Sequence, residues 1–182
     1  QTLKKIKECN FVIIGGYSVN AYTLPRFSVD CDIVIRDENE LKKIDSILLL
    51  NGYKKEKLPR DAQYSGNFSR YEKKLNNNFA VSMDVLISSV TDRMTGAVFV
   101  ADWIFENSGM TTLNGKTISE ELKMRIINID ALLVMKMISC RPTDIRDVFM
   151  CFPKAKNKGW IKFEIQLRCD FKERIQRIID NI

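Results

Sequence analysis

The stretch that decides the fold runs from Phe11 to Arg36, FVIIGGYSVNAYTLPRFSVDCDIVIR. The apolar run Phe11–Ile14 reads as a strand that stops at Gly15-Gly16. Residues 17–24 have room for about two turns of helix, and Pro25 ends it. In the second strand Arg26, Ser28, Asp30 and Asp32 alternate with Phe27, Val29, Cys31 and Ile33. Side chains two apart share a face of a strand, so an arginine, a hydroxyl and two carboxylates project from one side while the apolar set packs behind them. Two aspartates spaced about 6–7 Å along a strand repel each other unless a cation lies between them. Hard oxygen donors suit Mg²⁺, which binds one or two carboxylates together with substrate phosphates. A glycine turn that opens a helix presents bare N–H groups and the positive end of a dipole to a phosphate. The combination is what a site for a metal and a nucleoside triphosphate needs.

Gly15-Gly16, a gap over residues 17–29, and then Asp30-x-Asp32 among apolar residues resembles the signature of the DNA polymerase β-type nucleotidyltransferase superfamily. The form Arg26-x-Ser28-x-Asp30-x-Asp32 is similar to the small prokaryotic branch, which includes abortive-infection and toxin–antitoxin nucleotidyltransferases. The resemblance implies a nucleotidyltransferase fold: a small mixed sheet with helices packed on one side, here followed by a C-terminal helical extension. It also implies a pair of Mg²⁺ ions, with Mn²⁺ as a substitute, held by Asp30, Asp32 and a third carboxylate on a neighbouring strand. Asp84, in the run Phe79–Ser88 (FAVSMDVLIS), is the candidate for that third position. It would share its face with Ser82, Leu86 and Ser88. An aspartate centred in an apolar strand is costly unless it is paired or ligates a metal; a satisfied structural aspartate is the alternative. Gly15, Gly16 and Ser18 would cradle the β- and γ-phosphates, with Gly16 standing where family members carry Ser. Arg26 and Lys136 would offset charge on the leaving pyrophosphate. The segment MKMISCRPTDIRD, Met135–Asp147, resembles the second conserved stretch of the small prokaryotic enzymes. There the resemblance implies that Lys136 reaches the triphosphate and that Asp144 orients the site. A salt bridge from Lys136 or Arg141 to Asp144 is the alternative, since Asp144 and Asp147 share a helix face.

Composition narrows the chemistry. The chain has 182 residues, 45% hydrophobic and 29% charged, with a net charge of +6 and a pI near 9.1. A core is attainable at this length without disulfides, and the basic balance favours polyanionic partners such as nucleotides, RNA or acidic protein faces. There is no histidine, which removes Ser-His-Asp and Cys-His schemes. Cys9, Cys31, Cys140, Cys151 and Cys169 are scattered with no C-x-x-C pair, so a zinc site is disfavoured and reduced thiols in a cytoplasmic protein are expected. No apolar run suits a membrane span and no signal-peptide pattern opens the chain. Asp30-x-Asp32 lacks the third ligand and the glycine of a calcium loop.

Outward from the central stretch, residues 2–9 read as a short helix. Asp37–Leu50 reads as a helix with an acidic start and an apolar stripe at Leu41, Ile44, Ile47 and Leu48, ended by Asn51-Gly52. Strand–helix–strand–helix indicates an α/β layer arrangement. Strands are expected near 53–58 and 67–74 with a loop at 59–66, and a turn at Asn76-Asn77-Asn78 leads into 79–88. In this region Lys54, Lys55, Lys57, Arg60, Arg70, Lys73 and Lys74 interleave with Tyr53, Tyr64, Phe68 and Tyr71, which fits either a nucleic-acid or triphosphate grip or a lysine-protected sheet edge. Residues 101–108 suggest a short helix and Asn114-Gly115 a hairpin. The stretch Gly109–Thr117 looks like a phosphate loop but has one residue too many between its glycines. From Ser119 onward the chain reads as helical, with Ile126, Ile129, Leu132, Leu133, Met135 and Met137 forming a stripe, a break at Pro142 and two closing helices after a lysine-rich linker at 153–159. The expected organisation is a nucleotidyltransferase core over 1–118 and a helical extension over 119–182, the two able to form one continuous domain.

The function implied is metal-dependent transfer of a nucleoside monophosphate from a nucleoside triphosphate to a hydroxyl of RNA (such as tRNA), a protein or a small molecule, with release of pyrophosphate. The alternative is a catalytically weak nucleotide- or partner-binding module, such as the antitoxin half of a toxin–antitoxin pair. No membrane partner is expected.

Overall fold

The computed structural model describes residues 2–23, 28, 30–56, 68–76, 79–113 and 122–180. Arg26, the loop at 59–66, and the turns at Asn77-Asn78 and Asn114-Gly115 lie outside the described residues, as does Lys116-Thr117 of the phosphate-loop look-alike.

Nine strands are described: β1 (Val12–Ile14), β2 (Asp30–Ile35), β3 (Lys54–Lys55), β4 (Phe68–Asn76), β5 (Phe79–Ile87), β6 (Ser89–Thr91), β7 (Val98–Val100), β8 (Ser108–Leu113) and β9 (Leu122–Ile127). Seven of them form one sheet in the order β3-β4-β5-β2-β1-β9-β8, and β6-β7 is a separate ribbon. The large sheet is mixed: β1 runs antiparallel to β2, β2 parallel to β5 and β1 parallel to β9, with antiparallel partners at both ends.

The helices are α1 (Thr2–Lys5), α2 (Gly15–Tyr22), α3 (Glu38–Leu50), α4 (Ala101–Glu106), α5 (Ile129–Ser139), α6 (Pro142–Cys151), α7 (Lys158–Gln166) and α8 (Phe171–Ile179). α3 forms where its acidic start suits the dipole. The Asp37 carboxylate accepts from the N–H groups of Asn39 at 2.9 Å and Glu40 at 3.0 Å, and Leu41, Ile44 and Leu48 are buried against the sheet. No helix among the described residues is long and apolar enough to cross a membrane.

Alternation along the central strands divides the core in two. Ile13, Ile33, Ile35, Met83 and Val85 face α3. Val12, Ile14, Val34 and Leu86 face the other way, onto Leu132, Leu133 and Met137 of α5 and the helices that follow. Helices therefore cover both faces of the sheet; the C-terminal ones close the face that the one-sided arrangement leaves open. By the same alternation Asp30, Asp32 and Asp84 belong to the side that receives α5, which is why a lysine on that helix can approach them.

Two expectations need correction. Residues 122–127, expected to begin a helical segment, form β9, paired parallel to β1 inside the sheet. The helical stripe starts only at Ile129, where the Asn128 side chain caps α5 by accepting from the Ala131 N–H at 2.9 Å. The first helix is also shorter than 2–9, ending at Lys5. With β9 in the sheet, the segment after 118 supplies a core strand as well as the covering helices.

Candidate active site

Parallel pairing of β2 with β5 sets Asp30 opposite Ser82 and Asp32 opposite Asp84. Facing residues on neighbouring strands lie close enough for their side chains to interact, so register alone places Asp32 and Asp84 side by side. The Ser82 hydroxyl donates to Asp30 Oδ1. Antiparallel pairing then puts Arg70 of β4 across from Asp84 on the other side. Its guanidinium donates to Asp84 Oδ2 at 3.2 Å, to Asp30 Oδ1 at 3.4 Å and to Ser82 Oγ at 3.2 Å. One side chain thus reaches both carboxylates.

Gly15 completes the carboxylate side. It follows β1, has φ +63°, and its backbone lies so close to Asp32 that a Cβ built there would sit 2.0 Å from Asp32 Oδ2. Only glycine meets both conditions. α2 starts at this point with no side chain capping it, which leaves the first-turn N–H groups as donors for an anion. Gly15→Ala is therefore expected to force the Asp32 carboxylate out of place and to destabilise the fold by about 1–2 kcal/mol. Urea unfolding beside a cation-binding titration checks this; unchanged cation affinity would refute the close packing.

The helical side supplies cations. The Lys136 ammonium, buried on α5, donates to Asp144 Oδ1 at 2.6 Å and lies 3.0 Å from Asp147 Oδ2, both carboxylates being buried on α6. Arg141 Nε donates to Asp144 Oδ2 at 2.7 Å. The salt bridge weighed as an alternative is thus present, and it includes Asp147, which sequence reasoning left out of the site. The two sides meet across a cleft of about 450 Å³, within the range of small-ligand sites. Gly15, Asp32 and Asp84 line one wall, and Lys136, Arg141 and Asp144 the other, with Phe68, Leu86, Phe99 and Met135 between them.

Electrostatics bear out the strain of crowding carboxylates. Burial, then the neighbouring Asp84 charge, pushes the Asp32 carboxyl up to about 6, partly opposed by Lys136. Burial also raises Asp84, with Arg70 acting the other way. A carboxyl whose folded pKa exceeds its unfolded value holds its proton more tightly when folded. Its contribution is favourable below about pH 4 and declines as pH rises toward 6. In the absence of divalent cations Asp32→Asn is expected to gain up to roughly 2–3 kcal/mol over the wild type between about pH 4 and pH 7. Unfolding curves of the two proteins at both pH values measure it, and a pH-independent difference would contradict the assignment.

Not every expected residue turns into the cleft. Ser18 is fully buried and its hydroxyl donates to the Gly15 carbonyl at 2.7 Å, so it braces the glycine turn. Ser28 donates to the Asp30 carbonyl at 3.1 Å. Two lysines of the basic stretch are engaged within the fold: Lys73 donates to the Asn51 carbonyl at 2.7 Å and Lys55 pairs with Asp45 at 3.4 Å; Lys54 and Lys74 are exposed. Sequence reasoning had Arg70 only as one of the basic stretch and Arg141 only as a salt-bridge partner of Asp144; the structure brings Arg70 to the carboxylates and Arg141 to the cleft wall. Asp84 on a neighbouring paired strand is the signal that leads to Arg70.

Among the described residues no three Asp, Glu, Cys or His side chains stand ready-arranged as a metal cage. Arg70 lies between Asp84 and Asp30 instead. The donors nonetheless fit a hard divalent cation. All are carboxylate oxygens, Asp84 Oδ1 is buried without a hydrogen-bond partner, and the glycine contact holds Asp32 at the cleft wall.

The sequence matches no protein-family model and no curated protein. Among solved structures, the chain is similar to an antigenic nucleotidyltransferase-like protein from Paracoccidioides brasiliensis, with a TM-score of 0.54 and 16% identity over 96% of this chain and 88% of that one. It is also similar to the lincosamide antibiotic adenylyltransferase LnuA in its lincomycin-bound form, with a TM-score of 0.52 and 16% identity over 80% of this chain and 87% of that one. The chain has the nucleotidyltransferase fold.

Proposed function

We propose that the protein is a metal-dependent nucleotidyltransferase that moves a nucleoside monophosphate from a nucleoside triphosphate to an acceptor hydroxyl and releases pyrophosphate. The observation that carries this reading is the in-register pair Asp32–Asp84 beside an uncapped glycine-started helix. Nothing in the packing of a sheet calls for two adjacent half-buried carboxylates, and burial followed by their mutual repulsion raises the Asp32 pKa.

Asp30, Asp32 and Asp84 would hold Mg²⁺ (Mn²⁺ as a substitute), which when bound supplies Lewis-acid stabilisation of charge at the reacting phosphate. The chain's own groups do the rest. The N–H groups at Gly15 and Gly16 donate to the triphosphate. An ammonium has three donors; two of those on Lys136 serve Asp144 and Asp147, and the third serves the phosphate side of the cleft it lines. Arg141 adds a second positive charge, and Asp144, touching both cations, fixes their direction. Asp84 Oδ1 accepts the proton of the incoming hydroxyl. The preorganised positive wall favours the charge that builds on the leaving pyrophosphate. The cleft's size and apolar middle favour a small hydroxyl-bearing acceptor, the kind that the lincomycin-bound neighbour holds, over an RNA or protein hydroxyl.

The test is incubation of the protein with each α-labelled nucleoside triphosphate, Mg²⁺ and, in separate reactions, bulk tRNA, lysate protein or a small-molecule extract. Label is expected in an acceptor fraction and is expected to vanish with EDTA and in Asp32→Asn. Label that persists in that variant would overturn the site assignment. Nucleotide binding without transfer to any fraction would favour a binding module such as an antitoxin.

A further inference from the structure

We propose that Arg70 is a built-in competitor of the divalent cation: it neutralises Asp84 and Asp30 in the metal-free chain, and on cation binding its guanidinium leaves them for Glu56. This rests on the nucleotidyltransferase reading of the site. The geometry is that of a placeholder and not of a permanent brace. Arg70 touches each carboxylate through one nitrogen, at 3.2 Å to Asp84 and 3.4 Å to Asp30. Charge-assisted bonds in a committed pair are shorter, about 2.7–2.9 Å, and commonly bidentate. The arginine side chain is 31% exposed, so it can withdraw without opening the core. A second resting place is already in reach, since Glu56 Oε2 lies 3.7 Å from Nε. Asp84 Oδ1 stays buried and unpartnered while the guanidinium serves Oδ2, so the contact leaves the carboxylate half satisfied. One positive charge also cannot balance Asp30, Asp32 and Asp84 together, which a divalent ion does better.

It follows from this exchange that the cation affinity of the chain is lower than its carboxylates alone would give, because binding must break two ion pairs.

The experiment titrates the full chain with Mn²⁺ and no nucleotide, reading free Mn²⁺ by electron paramagnetic resonance, for the wild type, Arg70→Gln, Arg70→Lys and Asp84→Asn. Circular dichroism confirms that each is folded. Gln removes the charge and keeps a polar, shorter side chain on the same strand position. Arg70→Gln is expected to bind Mn²⁺ about tenfold more tightly than the wild type, given the few kcal/mol a unit charge exerts at such distances near a surface. Arg70→Lys is expected to stay close to the wild type, and Asp84→Asn to bind far less. Equal or weaker binding by Arg70→Gln would overturn the competitor role. If Asp84→Asn still lost affinity in that case, the active-site reading would stand on its own. Absence of Mn²⁺ binding in every protein would overturn both.

Discussion

Asp84→Asn is expected to lower kcat/KM for nucleotidyl transfer by more than about a hundredfold, on the scale of losing one preorganised charge-stabilising group, while the protein stays folded. Asn has the same shape and keeps a carbonyl oxygen, so the strand register is preserved. What disappears is the negative charge beside Asp32. Because burial already raises the Asp84 carboxyl above its ordinary range, the metal-free fold has little to lose from a neutral side chain there. Arg70 keeps Asp30 and Glu56 as partners. Activity and stability should therefore separate: transfer collapses, and the urea midpoint holds or rises. A parallel fall of both would mean that Asp84 is a structural aspartate, the alternative open from the sequence alone.

Lys136→Met is expected to destabilise the protein by about 3–5 kcal/mol, the cost of removing one partner from a buried ion cluster. Met fills the same channel on α5, so lost packing is a minor part. The loss comes from Asp144 and Asp147, each with a side chain 1% exposed. Burial pushes the Asp144 carboxyl up, yet Lys136 and Arg141 together outweigh it and hold it below the usual carboxylate range. A depressed carboxyl contributes stability above its unfolded pKa that is lost as pH falls through the folded one. The Lys136→Met defect should accordingly be full at neutral pH and shrink on acidification. Adding Asp144→Asn and Asp147→Asn to Lys136→Met should restore much of the stability and none of the transfer activity. Failure of the triple variant to recover would place the effect in packing and not in charge.

The parts legible in the sequence are those where local chemistry decides. Asp30-x-Asp32 behind a glycine turn and the helix with an acidic start at Asp37 follow from spacing and residue type, while Asp84 came from the third carboxylate that the family resemblance implies. Two features resisted reading for identifiable reasons. The run Leu122–Ile127 ends in isoleucines that continue a helical stripe into α5, and a short apolar run does not distinguish strand from helix by periodicity. Its Leu122, Met124 and Ile126 alternate with Lys123 and Arg125, and Asn128 marks the break. Arg70 was hidden by register. Asn76 pairs with Phe79, and an unbroken ladder from there would set Tyr71 against Asp84. An irregularity between Lys74 and Asn76 shifts the pairing so that Arg70 faces Asp84. A one-residue slip exchanges the two faces of a strand, so no count of spacings along β4 could place that arginine at the carboxylates.

The central claim is that carboxylates from β2 and β5 converge on a divalent cation next to the Gly15 turn. Crystals soaked with Mn²⁺ and a non-hydrolysable nucleoside triphosphate test it through the anomalous signal of manganese. The expected result is a peak bonded to Asp32 and Asp84, with the triphosphate at the start of α2 and the Arg70 guanidinium turned toward Glu56. A triphosphate bound elsewhere, or manganese absent from these carboxylates in crystals that hold the nucleotide, would contradict it.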